Sequence, residues 1–147
     1  MTRFAVVPAT FDHIEPIAKR MRQADVDEIW AAAAVLPRPA IALSLDAADI
    51  TGTWLIDGVP AAIGGVRDGV VWLLTTDLVD KHQRRFLMEA KRQFEDVKPM
   101  YDRLYNWVDA RNTRSIRWLK WMGFTLDAPR PYGVFRKPFI RFSWGEH

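Results

Sequence analysis

The sequence predicts an α+β domain built on a mixed sheet: an antiparallel meander, then a β-α-β crossover, a further helix and a terminal pair of strands. Three observations predict it. The 147 residues suffice for one ordinary domain, 1–147, and are too few for two. The apolar period is helical near the start, strand-like through the middle, and helical again afterwards. The Asp-Gly pairs at 57–58 and 68–69 fall between the middle segments, where antiparallel strands need tight turns.

Each element follows from its residues. Arg3 to Val7 is a short β-branched and aromatic run closed by Pro8, which predicts a first strand. Phe11, Ile14, Ile17, Ala18 and Met21 recur at helical spacing, with Thr10 or Asp12 available as N-cap. Asp25 with Glu28 three residues on has the form of a capping box, predicting a helix over 25–35 that Pro37 stops. Ala40 to Ala48 places Ile41, Leu45 and Ala48 on one helical face. Thr51 to Ile56 and Pro60 to Val66 predict a hairpin about Asp57-Gly58, and the continuous apolar run Val70 to Thr75 suits a central strand.

Helical period returns over His82 to Val97, where Phe86, Leu87, Ala90, Phe94 and Val97 form one stripe with charges opposite. Arg103 to Asp109 follows as a strand, and a strand-helix-strand order favours a right-handed crossover parallel to 70–75. Asn112 or Thr113 caps a helix running to about Met122, and Gly123 stops it. Phe124 to Leu126 and Phe139 to Trp144 are strand candidates, separated by a loop holding Pro129, Pro131, Gly133 and Pro138.

Composition narrows the chemistry. With 49% hydrophobic and 27% charged residues the chain belongs among globular proteins. It has no cysteine, which excludes disulfides, thiolate metal sites and a cysteine nucleophile. Lys+Arg number 21 against 18 Asp+Glu, and no run of five like charges occurs, so nucleic acid is not an expected partner. No apolar stretch approaches the ~18 residues of a membrane span, and the N-terminus lacks an apolar leader run, so a soluble, cytoplasmically made chain is expected.

Candidate chemistry gathers at two strand ends. Asp77 and Asp109 follow adjacent parallel strands at their carboxyl ends, where open α/β sheets bind ligands. Alternatively, Asp77 caps the next helix and Asp109 pairs with Arg111 or Arg114. His82 is the histidine nearest that end, either a base or a first-turn surface residue; His13 and His147 lie farther along the chain in either direction, and a lone histidine predicts no metal site. Arg84, Arg85, Lys91 and Arg92 form a basic face on one helix, and Arg111, Arg114, Arg117 and Lys120 another. Trp118 and Trp121 share one face of the last helix, with Ile116 and Leu119 on another. One face must be core, and the other is covered by the C-terminal tail or by a partner.

The element order, together with NTRSIRWLKWMGF (Asn112 to Phe124), resembles the GNAT acetyltransferases, in which Asn opens and Gly-Phe closes the equivalent helix. Asp25 with Asp27-Glu28, the Asp57-Gly58 hairpin, WLLTTD (Trp72 to Asp77), Arg85-Phe86 and NWVDARN (Asn106 to Asn112) resemble a phage family. That family is the internal virion, or core, protein of T7-like podoviruses and related phages and prophages. This resemblance implies a head- or core-assembly protein on a GNAT-like fold, with other phage head or core proteins as partners and self-association open. It would act in the host cytoplasm during assembly and in the virion interior.

The GNAT resemblance implies the alternative, an N-acetyltransferase passing acetyl from acetyl-CoA to an amine. Leu74, Thr75, Arg84, Arg85 and Asn112 would then hold the cofactor, and Asp77 or His82 would act as base; Asn112 serves equally well as a helix cap. Two departures weaken this. GNAT enzymes cradle the coenzyme A pyrophosphate in a Gln/Arg-x-x-Gly-x-Gly/Ala loop, whereas the matching stretch here is LVDKHQRRFL and no glycine lies between Gly69 and Gly123. The tyrosine that protonates the thiolate falls, by count from Asn112, on Leu119, which has no proton to give.

Overall fold

The computed structural model describes residues 1–145. Its elements are β1 (Phe4–Val7), a 3-10 turn (Phe11–His13), α1 (Ile14–Arg20), α2 (Gln23–Ala33), α3 (Pro37–Ala47), β2 (Ile50–Ile56), β3 (Val59–Arg67) and β4 (Val70–Thr75). After these come α4 (Asp77–Asp80), α5 (Gln83–Val97), a 3-10 turn (Lys98–Met100), β5 (Arg103–Asp109), α6 (Thr113–Met122), β6 (Thr125–Leu126), β7 (Arg130–Tyr132) and β8 (Lys137–Gly145).

One mixed sheet runs β1-β2-β3-β4-β5-β8-β6, with β7 paired to the outside of β8. The meander forms as expected, with Trp54 opposite Ala62 and Gly64 opposite Leu73. Its two Asp-Gly turns hold both residues at positive φ, 51° and 79° at 57–58 and 49° and 85° at 68–69. This is the conformation two-residue hairpins demand. β4 and β5 are parallel and β5 pairs antiparallel with β8 over its full length.

Helices cover both faces. Ile17, Met21 and Ile41 of the first helices pack on Ile63, Trp72 and Leu74. On the other face Phe86, Ala90 and Phe94, four residues apart on α5, meet Trp54, Leu73 and Val66, and α6 adds Met122. Among the described residues no single helix is long and apolar enough to cross a membrane.

Several boundaries differ from expectation for physical reasons. The helix expected over 25–35 begins at Gln23 and ends at Ala33, with Ala34 left-handed at φ 54°. Asp25 is therefore inside the helix and buried, not an N-cap. Pro37 does not stop that helix; it opens α3, where proline's fixed φ suits the first turn. Residues 77–80 form a one-turn helix too short to leave a period. The proline-rich loop contains β7, whose Pro131 sits opposite Pro138, tolerable because β7 is an edge strand.

The C-terminal tail does not cover the tryptophan face of α6. β8 enters the sheet beside β5, Trp118 packs on Phe86 at 5.9 Å, and Trp121 stays half exposed. Trp107 instead stacks on Tyr132 of β7 at 4.3 Å.

The turn after β7 rests on α2 through Gly133. Its φ is +79°, and a Cβ there would stand 2.8 Å from Ala31 O and Ala32 Cα, while Val134 N–H donates to Ala32 O. Gly133→Ala is expected to cost about 1–3 kcal/mol, combining left-handed strain with displaced backbone. Gly58→Ala has the same φ and open space, so it isolates the strain. Urea denaturation of the two variants should show the Gly133 variant clearly weaker.

Candidate functional site

β4 and β5 start as neighbours and separate towards their carboxyl ends. Tyr105 N–H donates to Gly69 O at 2.9 Å, and the only ladder pair is Val70 with Tyr105. At the next rung the Asn106 side chain inserts: its amide donates to Val71 O at 2.9 Å, and its oxygen accepts from Trp107 N–H at 2.8 Å. A side-chain amide thus takes the place of a direct backbone bond and wedges the strands apart.

Beyond Asn106, α2 bridges the open ends. Asp25 and Glu28 are three residues apart on one helix face, so each reaches a different strand tip. Asp25 accepts from Thr75 N–H at 3.0 Å and Thr75 Oγ1 at 3.2 Å, while Glu28 accepts from Asp109 N–H at 2.7 Å. Asn112 donates to both carboxylates, at 3.4 and 3.3 Å. Arg22 completes the cluster: its guanidinium contacts Asp25 at 3.2 Å, Ser115 Oγ at 3.3 Å and the Asn112 oxygen, and its N–H donates to Thr75 O at 2.9 Å.

Charge balance in this cluster is uneven. Burial pushes the Glu28 carboxyl up to about 7, against the Asp109 N–H bond that lowers it, and the neighbouring Asp25 adds to the rise. Arg114 donates to Thr75 Oγ1 at 3.0 Å and Asp80 at 2.7 Å, and burial together with Arg22 lowers its pKa. Asp109 forms a two-bond pair with Arg111, one of its two expected partners.

A cavity of about 340 Å³ passes through the gap between β4 and β5, touching Ile29 and Ala32 on one face and Phe94 and Trp118 on the other. Leu74, Thr75, Glu28 and Arg114 line it. Trp54 Nε1 and Arg114 Nε are buried without a hydrogen-bond partner among the described residues, and both side chains border this space.

The remaining expected site residues stand elsewhere. Asp77 does not cap its helix, since Thr76 Oγ1 accepts from Leu78 N–H at 3.3 Å; Asp77 pairs with Arg20 at 2.8 Å and its side chain is 60% exposed. His82 meets Phe4 edge-on at 5.9 Å, and Arg85 lies over the same ring at 4.6 Å. Arg84 is exposed and borders a different groove. None of these four lines the cavity. Asn112 precedes α6 but makes no side-chain cap bond, so the buried cluster takes it instead. His13 bonds Thr53 Oγ1 at 2.8 Å, and His147 lies outside the described residues. Among the described residues no group of three His, Asp or Glu could hold a metal ion.

The segment joining β4 to α5 has no glycine and is held by bonds to the chain's own carbonyls. Thr76 N–H and Oγ1 both go to Ala61 O, at 3.0 and 2.8 Å, Val79 N–H goes to Thr76 O, and His82 N–H goes to Val79 O. Val79 is fully buried beneath them. The N–H groups of Thr76, Val79 and His82 are committed to the chain's own carbonyls, whereas those of Gln83, Arg84 and Arg85 precede the first helical bond of α5, Phe86 N–H to His82 O. Leu119 is half-buried against the core and offers no acid.

Solved structures share this architecture. The smu.2055 protein from Streptococcus mutans UA159 superposes with a TM-score of 0.69 at 13% identity, covering 96% of this chain and 98% of its own. A GNAT-family acetyltransferase from Bacillus anthracis gives 0.66 at 9% identity, covering 96% and 92%. AAC(6')-Ib, solved with ribostamycin and coenzyme A, gives 0.68 at 13% identity, covering 97% and 93%. The fold is that of the GNAT acetyltransferases. No curated protein sequence matches the chain. The family profile described as "Bacteriophage T7, probable scaffold protein Gp13" matches residues 51–128, more than half the sequence, and the chain belongs to that family.

Proposed function

We propose that this chain is a phage head- or core-assembly protein that uses a GNAT fold as a rigid scaffold, with the fold's cofactor site closed from within. The observation that carries the reading is the segment 76–82, which has no glycine and whose Thr76, Val79 and His82 N–H groups bond to the chain's own carbonyls over buried Val79. Family membership supports the phage setting. Its partners are other phage head or core proteins, and it acts in the host cytoplasm during assembly and within the virion interior.

The test is a phage lacking the gene, complemented in trans, with the particles analysed for protein composition and infectivity. The reading predicts defective or compositionally altered particles that the intact gene restores. Normal particles without the gene contradict it.

The alternative, acetyl transfer from acetyl-CoA to an amine with Asp77 or His82 as base, is favoured by one observation, the cavity crossing the sheet between β4 and β5. It requires free thiol release from acetyl-CoA with an amine present, and the assembly reading expects none.

A further inference from the structure

The exposed side of α5 and α6 carries a groove that the packing of the sheet does not use. Leu87 and Met88 of α5 and Trp118 and Trp121 of α6 border it, within a volume of about 780 Å³. Met88 is 54% exposed and Trp121 50%. The arrangement follows from spacing: Trp118 and Trp121 are three residues apart and share a face, Leu87 stands at the edge of the α5 stripe that packs on the core, and Met88 lies beside that stripe.

Charge around the groove is one-sided. Arg84, Lys91 and Arg92 line it with Glu95 as its carboxylate, and Arg117 and Lys120 stand exposed on the adjoining helix. Lys91 lies over the Trp121 ring at 4.5 Å. Glu89 is already shared by Arg85 and Arg92, and Glu95 is engaged by Lys98, while Arg84, Lys91, Arg117 and Lys120 have no carboxylate within 4.0 Å among the described residues.

We propose that this groove is a docking site for an acidic amphipathic helix of a partner protein, its apolar stripe laid between α5 and α6 and its carboxylates facing the basic rim. The apolar floor decides for a helix over nucleic acid: phosphate backbones want dense cations, whereas Leu87, Met88 and two tryptophans suit apolar anchors. Met88 can adapt to the shape of the incoming side chains. Complementary charge gives orientation and rate, and tryptophan gives most of the contact energy.

The inference rests on the assembly reading for its biological setting, yet its test is separate. The probe is a helical peptide of about 18 residues, five turns, with Leu at i, i+3, i+4 and i+7 and Glu at the remaining positions. Two companions carry Gln or Lys in place of Glu. Binding is followed by tryptophan fluorescence of the intact chain.

The expected order is Glu tightest, then Gln, then Lys. Glu-peptide affinity should fall at least about tenfold between 0.05 and 0.5 M salt, as screening requires. Trp121→Ser and Lys91→Glu, both surface changes, should each weaken binding about tenfold or more, the second in favour of the Lys peptide. Equal affinity for the Glu and Lys peptides overturns the proposal, as does full binding by Trp121→Ser, or a duplex oligonucleotide that binds more tightly than the Glu peptide. Loss of peptide binding with particle assembly still dependent on the gene would remove the groove and leave the assembly reading standing.

Discussion

Arg22→Met is expected to lower the stability of the folded chain by roughly 3–5 kcal/mol, the cost of leaving a buried carboxylate without its cation. Arg22 is the cation in contact with Asp25, which is 4% exposed, and its guanidinium also reaches Asn112 and Ser115. Without it, Asp25 and Glu28 face each other across Asn112 with only neutral donors between them. Methionine keeps much of the stem's volume, so the loss reports charge and hydrogen bonds more than packing. Arg22→Lys should recover only part, because all three contacts are made by one guanidinium nitrogen, Nη2, whose position the shorter lysine ammonium does not reach unchanged. Guanidinium denaturation measures the difference, and a loss below about 1 kcal/mol would mean that the cluster is not what joins α2 to the strand tips.

Glu28→Gln should change how stability depends on pH. Glu28 has its pKa raised from 4.5 to about 7 on folding, mainly by burial. A raised carboxyl binds its proton more tightly in the folded chain, so this contribution is full below about pH 4.5 and is lost as pH climbs towards 7. At about 1.4 kcal/mol per unit, the loss is on the order of 2–3 kcal/mol, allowing for partial exposure. Glutamine keeps an oxygen for Asp109 N–H and Asn112 and carries no charge. The variant should therefore gain on the parent between pH 5 and 8 and be level with it near pH 4.5. Denaturation midpoints across that window give the test, and parallel profiles for the two proteins would contradict it.

The sheet was largely legible because its signals are local. Asp57-Gly58 and Asp68-Gly69 specify their turns by backbone conformation alone, and Phe86, Ala90 and Phe94 declare the buried stripe of α5. That β4 and β5 run parallel, so that Asp77 and Asp109 follow neighbouring carboxyl ends, also follows from strand order. The site's side chains were less accessible. Asp25 and Glu28 have the spacing of a capping box, the same acid spacing serves a helix start or a helix face, and only burial tells them apart. Arg22 lies 90 positions from Asn112, a contact that no window on one sequence contains. Asn112 offered cap or ligand as readings, and the structure uses it as a buried bridge. An acid pair at i,i+3 ahead of an otherwise apolar helix, with an arginine three residues before it, was the signal available.

The stretch LVDKHQRR has no glycine, and the N–H groups of Thr76, Val79 and His82 bond within a turn closed by Ala61 and by the Asp80–Arg114 pair. Of the arginines nearby, Arg84 faces the α5–α6 groove and Arg85 lies on Phe4 beside Glu89.

Isothermal titration calorimetry of the intact chain with acetyl-CoA and with coenzyme A tests the central claim most directly. No saturable heat is expected up to about millimolar ligand, corresponding to less than about 4 kcal/mol of binding free energy. Micromolar affinity for either ligand would contradict it, because the segment 76–82 would then have to open and receive phosphates.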